Sequence, residues 1–169
     1  MGDVRIVALL GALALTTGCS SSSQTFHAQG ISVRYPSWWH ATAAPLTPVT
    51  SPVQVLAVAS YPLPDNNRGA DGCMPKEALD ALPPDGAFIY GWEYGPDQAT
   101  NYPPRPKHFS LAHFERFECL GPSYVLRFRE NGRLFNIHIA LGPRASAYTR
   151  ATVLRILDSF EAKAGIRAR

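Results

Sequence analysis

The sequence predicts an α+β domain, an antiparallel-rich sheet with helices packed on it. Three observations carry that prediction. A hairpin signal, Asn131-Gly132, sits between two runs of alternating apolar and polar residues. Two strand-like apolar runs, Val53 to Pro62 and Ala87 to Gly95, lie upstream of it. A helical apolar stripe closes the chain after Ser146. With 169 residues, 46% of them apolar, there is material for one core and too little for two. Fifteen prolines and thirteen glycines argue for long turns and loops over a helical bundle.

In chain order, "ISVRYP" (Ile31 to Pro36) alternates Ile31, Val33 and Tyr35 against Ser32 and Arg34, which is the period of a short strand. "VQVLAVASYP" is almost continuously apolar and reads as a strand buried on both faces. "PKEALDAL" (Pro75 to Leu82) opens on a proline suited to a first helical turn and reads as a short helix. "AFIYGWEYG" sets Phe88, Tyr90, Trp92 and Tyr94 on one face of a strand. "KHFSLAHFERFE" (Lys107 to Glu118) reads as a further strand, with a helical reading almost as well matched. A two-residue turn at Asn131-Gly132 sets Phe128 opposite Phe135, Leu126 opposite Ile137 and Tyr124 opposite Ile139. The other face of that hairpin carries Val125, Arg127, Arg129, Asn136 and His138, to be solvated or covered by loops. In the final helix Thr149, Val153, Ile156, Leu157, Phe160 and Ala164 form the apolar stripe. Ser146 is placed as its N-cap and Gly165 as its C-terminal cap.

Residues 1–18 have the pattern of a targeting segment. "IVALLGALAL" (Ile6 to Leu15) is a signal-length apolar run, too short to span a bilayer. Thr16, Thr17 and Gly18 before Cys19 resemble a bacterial lipoprotein box, in which the chain is cut before the cysteine and its thiol carries a diacylglycerol. The alternative is an ordinary secretory signal. The lipoprotein reading gives a signal peptide over 1–18, a lipidated Cys19 with a Ser-rich tether over 19–25, a single domain over 26–165 and a basic tail over 166–169. It makes the protein extracytoplasmic, anchored to the bacterial cell membrane. Acylation of Cys19 leaves Cys73 and Cys119 as an even pair in an oxidising compartment, and a disulfide between them is expected.

"ISVRYPSWW", followed much later by a hairpin strand and "VLRILDSFEA", resembles the Mog1/PsbP-like family, with bacterial members that are secreted or lipid-anchored. Tyr35, Pro36 and Trp39 match the family's opening stretch, and Leu157, Asp158, Ser159 and Phe160 match its closing helix. Trp38 stands where the family has glycine. The resemblance, over about residues 26 to 163, implies an α/β/α sandwich and a binding or assembly role without catalysis. It transfers no active site.

The remaining chemistry is sparse. A net charge of +3 with 17% charged residues shows no basic stripe, which argues against a nucleic-acid partner. There is no G-x-S-x-G, and Ser123 lacks the second glycine and the strand-to-helix setting of a nucleophile elbow. The histidines His27, His40, His108, His113 and His138 show no ligand spacing, so no metal or other cofactor is expected. In "DNNRGADG" (Asp65 to Gly72) Asp65, Asn67 and Asp71 alternate as in a calcium loop. However, Ala70 replaces the required glycine and Lys76 the bidentate glutamate, so it reads as a surface turn. The proline-rich stretch Gly95 to His108, with Tyr102 and Arg105, reads as either a docking segment or a stiff connection. Trp38, Tyr102, Arg105, Arg127, Arg129, Asn136 and His138 together are the candidate binding surface. The expected function is non-catalytic binding of an envelope protein or small ligand at the membrane. The alternatives are a carrier with a cavity lined by Trp38, Trp39, Tyr90, Trp92 and Tyr94, or an enzyme without a recognisable motif.

Overall fold

A computed structural model describes residues 22–68, 70–96 and 101–164. Cys19, the tail over 166–169 and the Gly165 cap position lie outside the described residues. The chain is a mixed α/β fold, mostly sheet, and every strand pairing is antiparallel. Its elements are β1 (Ser23–Ala28), β2 (Ile31–Pro36), β3 (His40–Ala41), β4 (Val53–Ala59), α1 (Lys76–Asp80), β5 (Ala87–Tyr94), β6 (Phe114–Phe117), β7 (Gly121–Glu130), β8 (Arg133–Leu141), α2 (Ala147–Asp158) and β9 (Glu161–Ala162). Six strands form one sheet in the order β3-β4-β5-β8-β7-β6, and three form a second in the order β1-β2-β9.

The β7–β8 hairpin has the register that its sequence dictates. Phe128 faces Phe135, Leu126 faces Ile137 and Tyr124 faces Ile139. Asn131 (φ 51°) and Gly132 (φ 77°) are both left-handed, the twist-matched turn in which only residues such as Asn and Gly are at ease. A second turn of this kind joins β1 to β2 through Gln29 (φ 49°) and Gly30 (φ 73°). Strand β1 was not expected: it starts at Ser23, so the last three residues assigned to the tether are paired strand. Its only fully buried side chain is Phe26, so it carries almost no apolar period. Of the segment read as one strand over 107–118, only Phe114–Phe117 is strand, as β6, with bends at 107–108 and a turn from 118. Phe109, upstream of β6, is buried against Phe128. Pro75 precedes α1 as its cap and is not in its first turn.

Each face of the six-stranded sheet has its own core. On one face, α2 and the small sheet cover Val58, Ile89, Leu126, Phe128, Phe135, Ile137 and Ile139. On the other, α1 and loops cover Phe88, Tyr90, Trp92 and Ala140, together with Leu46 and Tyr61. Cys73 and Cys119 are disulfide-bonded within this second layer, with Cα atoms 5.1 Å apart. Closing a loop of this length stabilises a fold by about 4 kcal/mol in the chain-entropy account. This layer also corrects the expected surface: Asn136 and His138 lie beneath it, 7% and 0% exposed.

Helix α2 begins as expected, with Ser146 Oγ accepting from Thr149 N at 3.0 Å. It ends earlier than the apolar stripe suggests. Ser159 caps it, and Phe160 turns out of the helix into the core, 5.3 Å from Phe128 and 5.1 Å from Phe135 by ring centroids. The chain then runs as β9, pairing Ala162 with Ile31 and Glu161 with Ser32. The helical period continued by accident, because Phe160 is buried for a different reason.

Phe160→Ala should lower unfolding free energy by about 3–5 kcal/mol in denaturant titration, since removing its ring leaves a cavity beside Phe128 and Phe135. A loss below about 1 kcal/mol would show that this junction does not hold the core.

Candidate functional site

The expected surface does not assemble as one site. The face of the β7–β8 hairpin opposite α2 is mostly sealed. The His138 ring is 4.5 Å from the Phe117 centroid in a stacked arrangement and 5.3 Å from Trp92 edge-on. Among the described residues neither His138 nitrogen has a hydrogen-bond partner, and neither do Trp92 Nε1 and Ser123 Oγ. Ser123 and His138 are diagonal neighbours on β7 and β8, yet they lack the hydrogen bond by which a base activates a nucleophile. Burial, with a smaller contribution from the Arg127 charge, pushes the His138 imidazole down to about 4, against a weak opposing pull from Glu115.

The proline-rich loop is strapped to its own protein. Arg129 N donates to Pro103 O at 2.8 Å, and Arg105 N donates to Arg129 O at 2.9 Å. Tyr102 donates to the buried Asn136 Oδ1 at 2.7 Å. The Arg105 side chain donates to Asp158 O at 2.7 Å and lies 5.3 Å from the Phe109 ring centroid. Tyr102 and Arg105 therefore hold this loop to the sheet and to the end of α2. Arg127 is exposed but bonded to Glu115 Oε1 at 2.6 Å, which leaves Arg129 as the exposed cation of this set without a carboxylate partner among the described residues. Asn136 and His138 are core groups, a correction that follows from the aromatic layer over them.

The carrier cavity is corrected too. Trp39 packs in the first core, whereas Tyr90 and Trp92 pack in the second, on the opposite face of the sheet. These rings do not line one space.

Trp38 leads elsewhere. Residues 36–39 form a tight turn closed by Trp39 N donating to Pro36 O at 2.9 Å. The turn sends adjacent rings in opposite directions, Trp39 into the core at 5% exposure and Trp38 outward at 48%. Trp38 faces a groove of about 360 Å3 between β2 and α2, whose walls include Arg34, Tyr35, Tyr148, Thr152 and Arg155. Trp38 and Tyr148 also line an adjoining hollow of about 190 Å3, so the two rings stand at the centre of a longer depression.

The walls are fixed by polar contacts. Arg34 N donates to Ser159 Oγ at 2.8 Å, tying β2 to the end of α2. Ser37 N donates to Ser22 O at 3.0 Å, holding the incoming chain at the rim. Arg155 donates to Thr152 Oγ1 at 2.7 Å, with its guanidinium carbon 5.6 Å from the Tyr148 ring centroid. Among the described residues neither Arg34 nor Arg155 pairs with a carboxylate. The groove's one carboxylate, Asp158, accepts from Phe109 N at 2.8 Å and faces His108 Nδ1 at 3.1 Å. Two exposed aromatic residues and two arginines that meet no carboxylate among the described residues line the groove, a set that suits an anionic ligand with an apolar part. Among the described residues no three His, Cys, Asp or Glu side chains gather as a metal site.

Sequence reasoning named Trp38 and passed over Arg34, Tyr148 and Arg155. Tyr148, Thr152 and Arg155 fall at helical spacing on one face of α2, a stripe legible beside the apolar one. No family model, curated protein or solved structure matches this chain.

His138 generates a pH prediction. Its folded value near 4 lies below the unfolded value near 6.5, so between them the unfolded chain binds the extra proton. Stability is full above about 6.5 and falls as pH drops toward 4, by about 3 kcal/mol from this group. Denaturant titrations of wild type and His138→Leu should differ by about that amount in the stability lost between pH 6.5 and 4, and so in pH slope. Identical slopes would contradict the burial of a neutral imidazole.

Proposed function

We propose that this chain is a lipid-anchored extracytoplasmic binding protein in which the groove between β2 and α2 takes an anionic ligand or partner without catalysis. The observation that carries the proposal is the pair of exposed rings, Trp38 and Tyr148, beside Arg34 and Arg155, which meet no carboxylate among the described residues. Exposed aromatics gathered with arginines in one depression are common at recognition sites. The disulfide between Cys73 and Cys119 fits an oxidising compartment. The lipoprotein box at Cys19 supplies the anchor in this reading.

We assign the domain to the Mog1/PsbP-like type on the motifs that frame the groove. Tyr35 and Pro36 lie in its β2 wall, and Asp158 and Ser159 close its α2 wall. The family's α/β/α arrangement is compatible with α2 on one face and α1 on the other, although here a three-stranded sheet shares the first face. Trp38, at the family's glycine position, is the feature that sets this groove apart.

The test is a photo-crosslinking amino acid placed at Tyr148 in intact envelopes. It should yield an adduct that Trp38→Ala abolishes, while unfolding free energy changes by no more than about 1 kcal/mol, as for an exposed ring. An adduct indifferent to Trp38→Ala would contradict the groove as the site.

A further inference from the structure

The position of the groove relative to Cys19 narrows its ligand. Ser22 lines the groove and stands three residues after Cys19 in the chain. Three residues span at most about 11 Å even when fully extended. An acylated Cys19 sits at the bilayer surface, so the rim of the groove is held within about that distance of the lipid headgroups. A macromolecular partner would have to enter between the domain and its own membrane. A headgroup is already there.

The groove chemistry matches that location. Tryptophan and tyrosine favour the membrane interface, where the ring sits among headgroups and its polar tip stays wet. Arginine presents a forked donor that fits phosphate oxygens. Arg34 and Arg155 meet no carboxylate among the described residues. Asp158, the acidic group on the lining, accepts from Phe109 N and faces His108, so its charge is already engaged away from the two arginines.

We propose that the groove formed by Trp38, Tyr148, Arg34 and Arg155 docks onto the phosphate of anionic membrane lipids, seating the domain on the bilayer that carries its anchor. This inference rests on the lipid-anchored binding reading above. The shared chemistry is an anionic phosphate group, and the source is a lipid headgroup and not a free phosphate ester.

The test uses the exported, oxidised chain from residue 19 onward with Cys19→Ser, so that retention on vesicles reports the groove and not the anchor. Vesicles of phosphatidylcholine with about 30% phosphatidylglycerol, an anionic surface that attracts basic groups, should retain it, and pure phosphatidylcholine should not. Arg34→Ala and Arg155→Ala should each weaken retention about fivefold, as expected for one basic group at an anionic surface. The matching Arg→Lys variants, which keep the charge, should recover part of it. Equal retention on both vesicles, or retention unchanged in the double Arg→Ala variant, would overturn the proposal. So would saturable calorimetric binding of glycerol phosphate by a chain that no phosphatidylglycerol vesicle retains, which would identify a free phosphate ester as the ligand. If no vesicle retains the chain while the Tyr148 crosslink still depends on Trp38, the headgroup proposal falls and the binding groove stands. If both fail, the groove is not a site.

Discussion

Ser159 ends α2 with its N–H on the carbonyls of Arg155 and Ile156, while its hydroxyl accepts from Arg34 N on β2, and the rest of the structure depends on this junction. Because the helix stops there, Phe160 turns inward among Phe128 and Phe135, and Glu161–Ala162 pairs with β2 as β9. Next to it, Asp158 holds Phe109 N through its carboxylate and Arg105 through its carbonyl. One turn of chain therefore fixes the small sheet, the proline-rich loop and both walls of the groove. Arg133 adds a second tie between the sheets, donating to Glu93 Oε1 at 2.7 Å and to Gln29 O at 3.0 Å.

The two faces of the six-stranded sheet have separated roles. The face under the disulfide is filled by Phe88, Tyr90, Trp92 and a neutral His138, with several polar atoms unpartnered. Such a layer rigidifies the sheet at a cost in unsatisfied groups. The α2 face is sealed by apolar packing below, and its rim is left open where β2 and α2 diverge. At that rim the backbone is fixed by Ser159 while the side chains of Trp38 and Arg155 still reach solvent, which is why the proposed binding function is placed there.

What was legible in the sequence followed from period and turn chemistry. Asn131-Gly132 fixed the hairpin register because only a left-handed two-residue turn joins those runs. Cysteine parity gave the disulfide. Strand β1 was not legible, since an edge strand with one buried residue in six leaves no alternation to read. The end of α2 was misplaced because Phe160 falls at helical spacing yet is buried from a turn. The binding surface failed at His138 and Asn136 for a similar reason: polar residues on a strand look solvated until distant rings cover them. Trp38 and Trp39 are adjacent in the sequence, but which ring faces outward depends on a turn closed from Trp39 N to Pro36 O, and side-chain type does not encode that choice.

The central claim is that Trp38 serves the groove at the membrane while Trp39 serves the core. The most direct measurement is fluorescence quenching of the lipidated protein in bilayers containing phosphatidylglycerol, taking the emission component lost in Trp38→Phe. The account predicts that this component is shielded from aqueous iodide and quenched by a spin label at the lipid headgroup. If it stays as open to iodide with the bilayer as without it, the groove does not face the membrane.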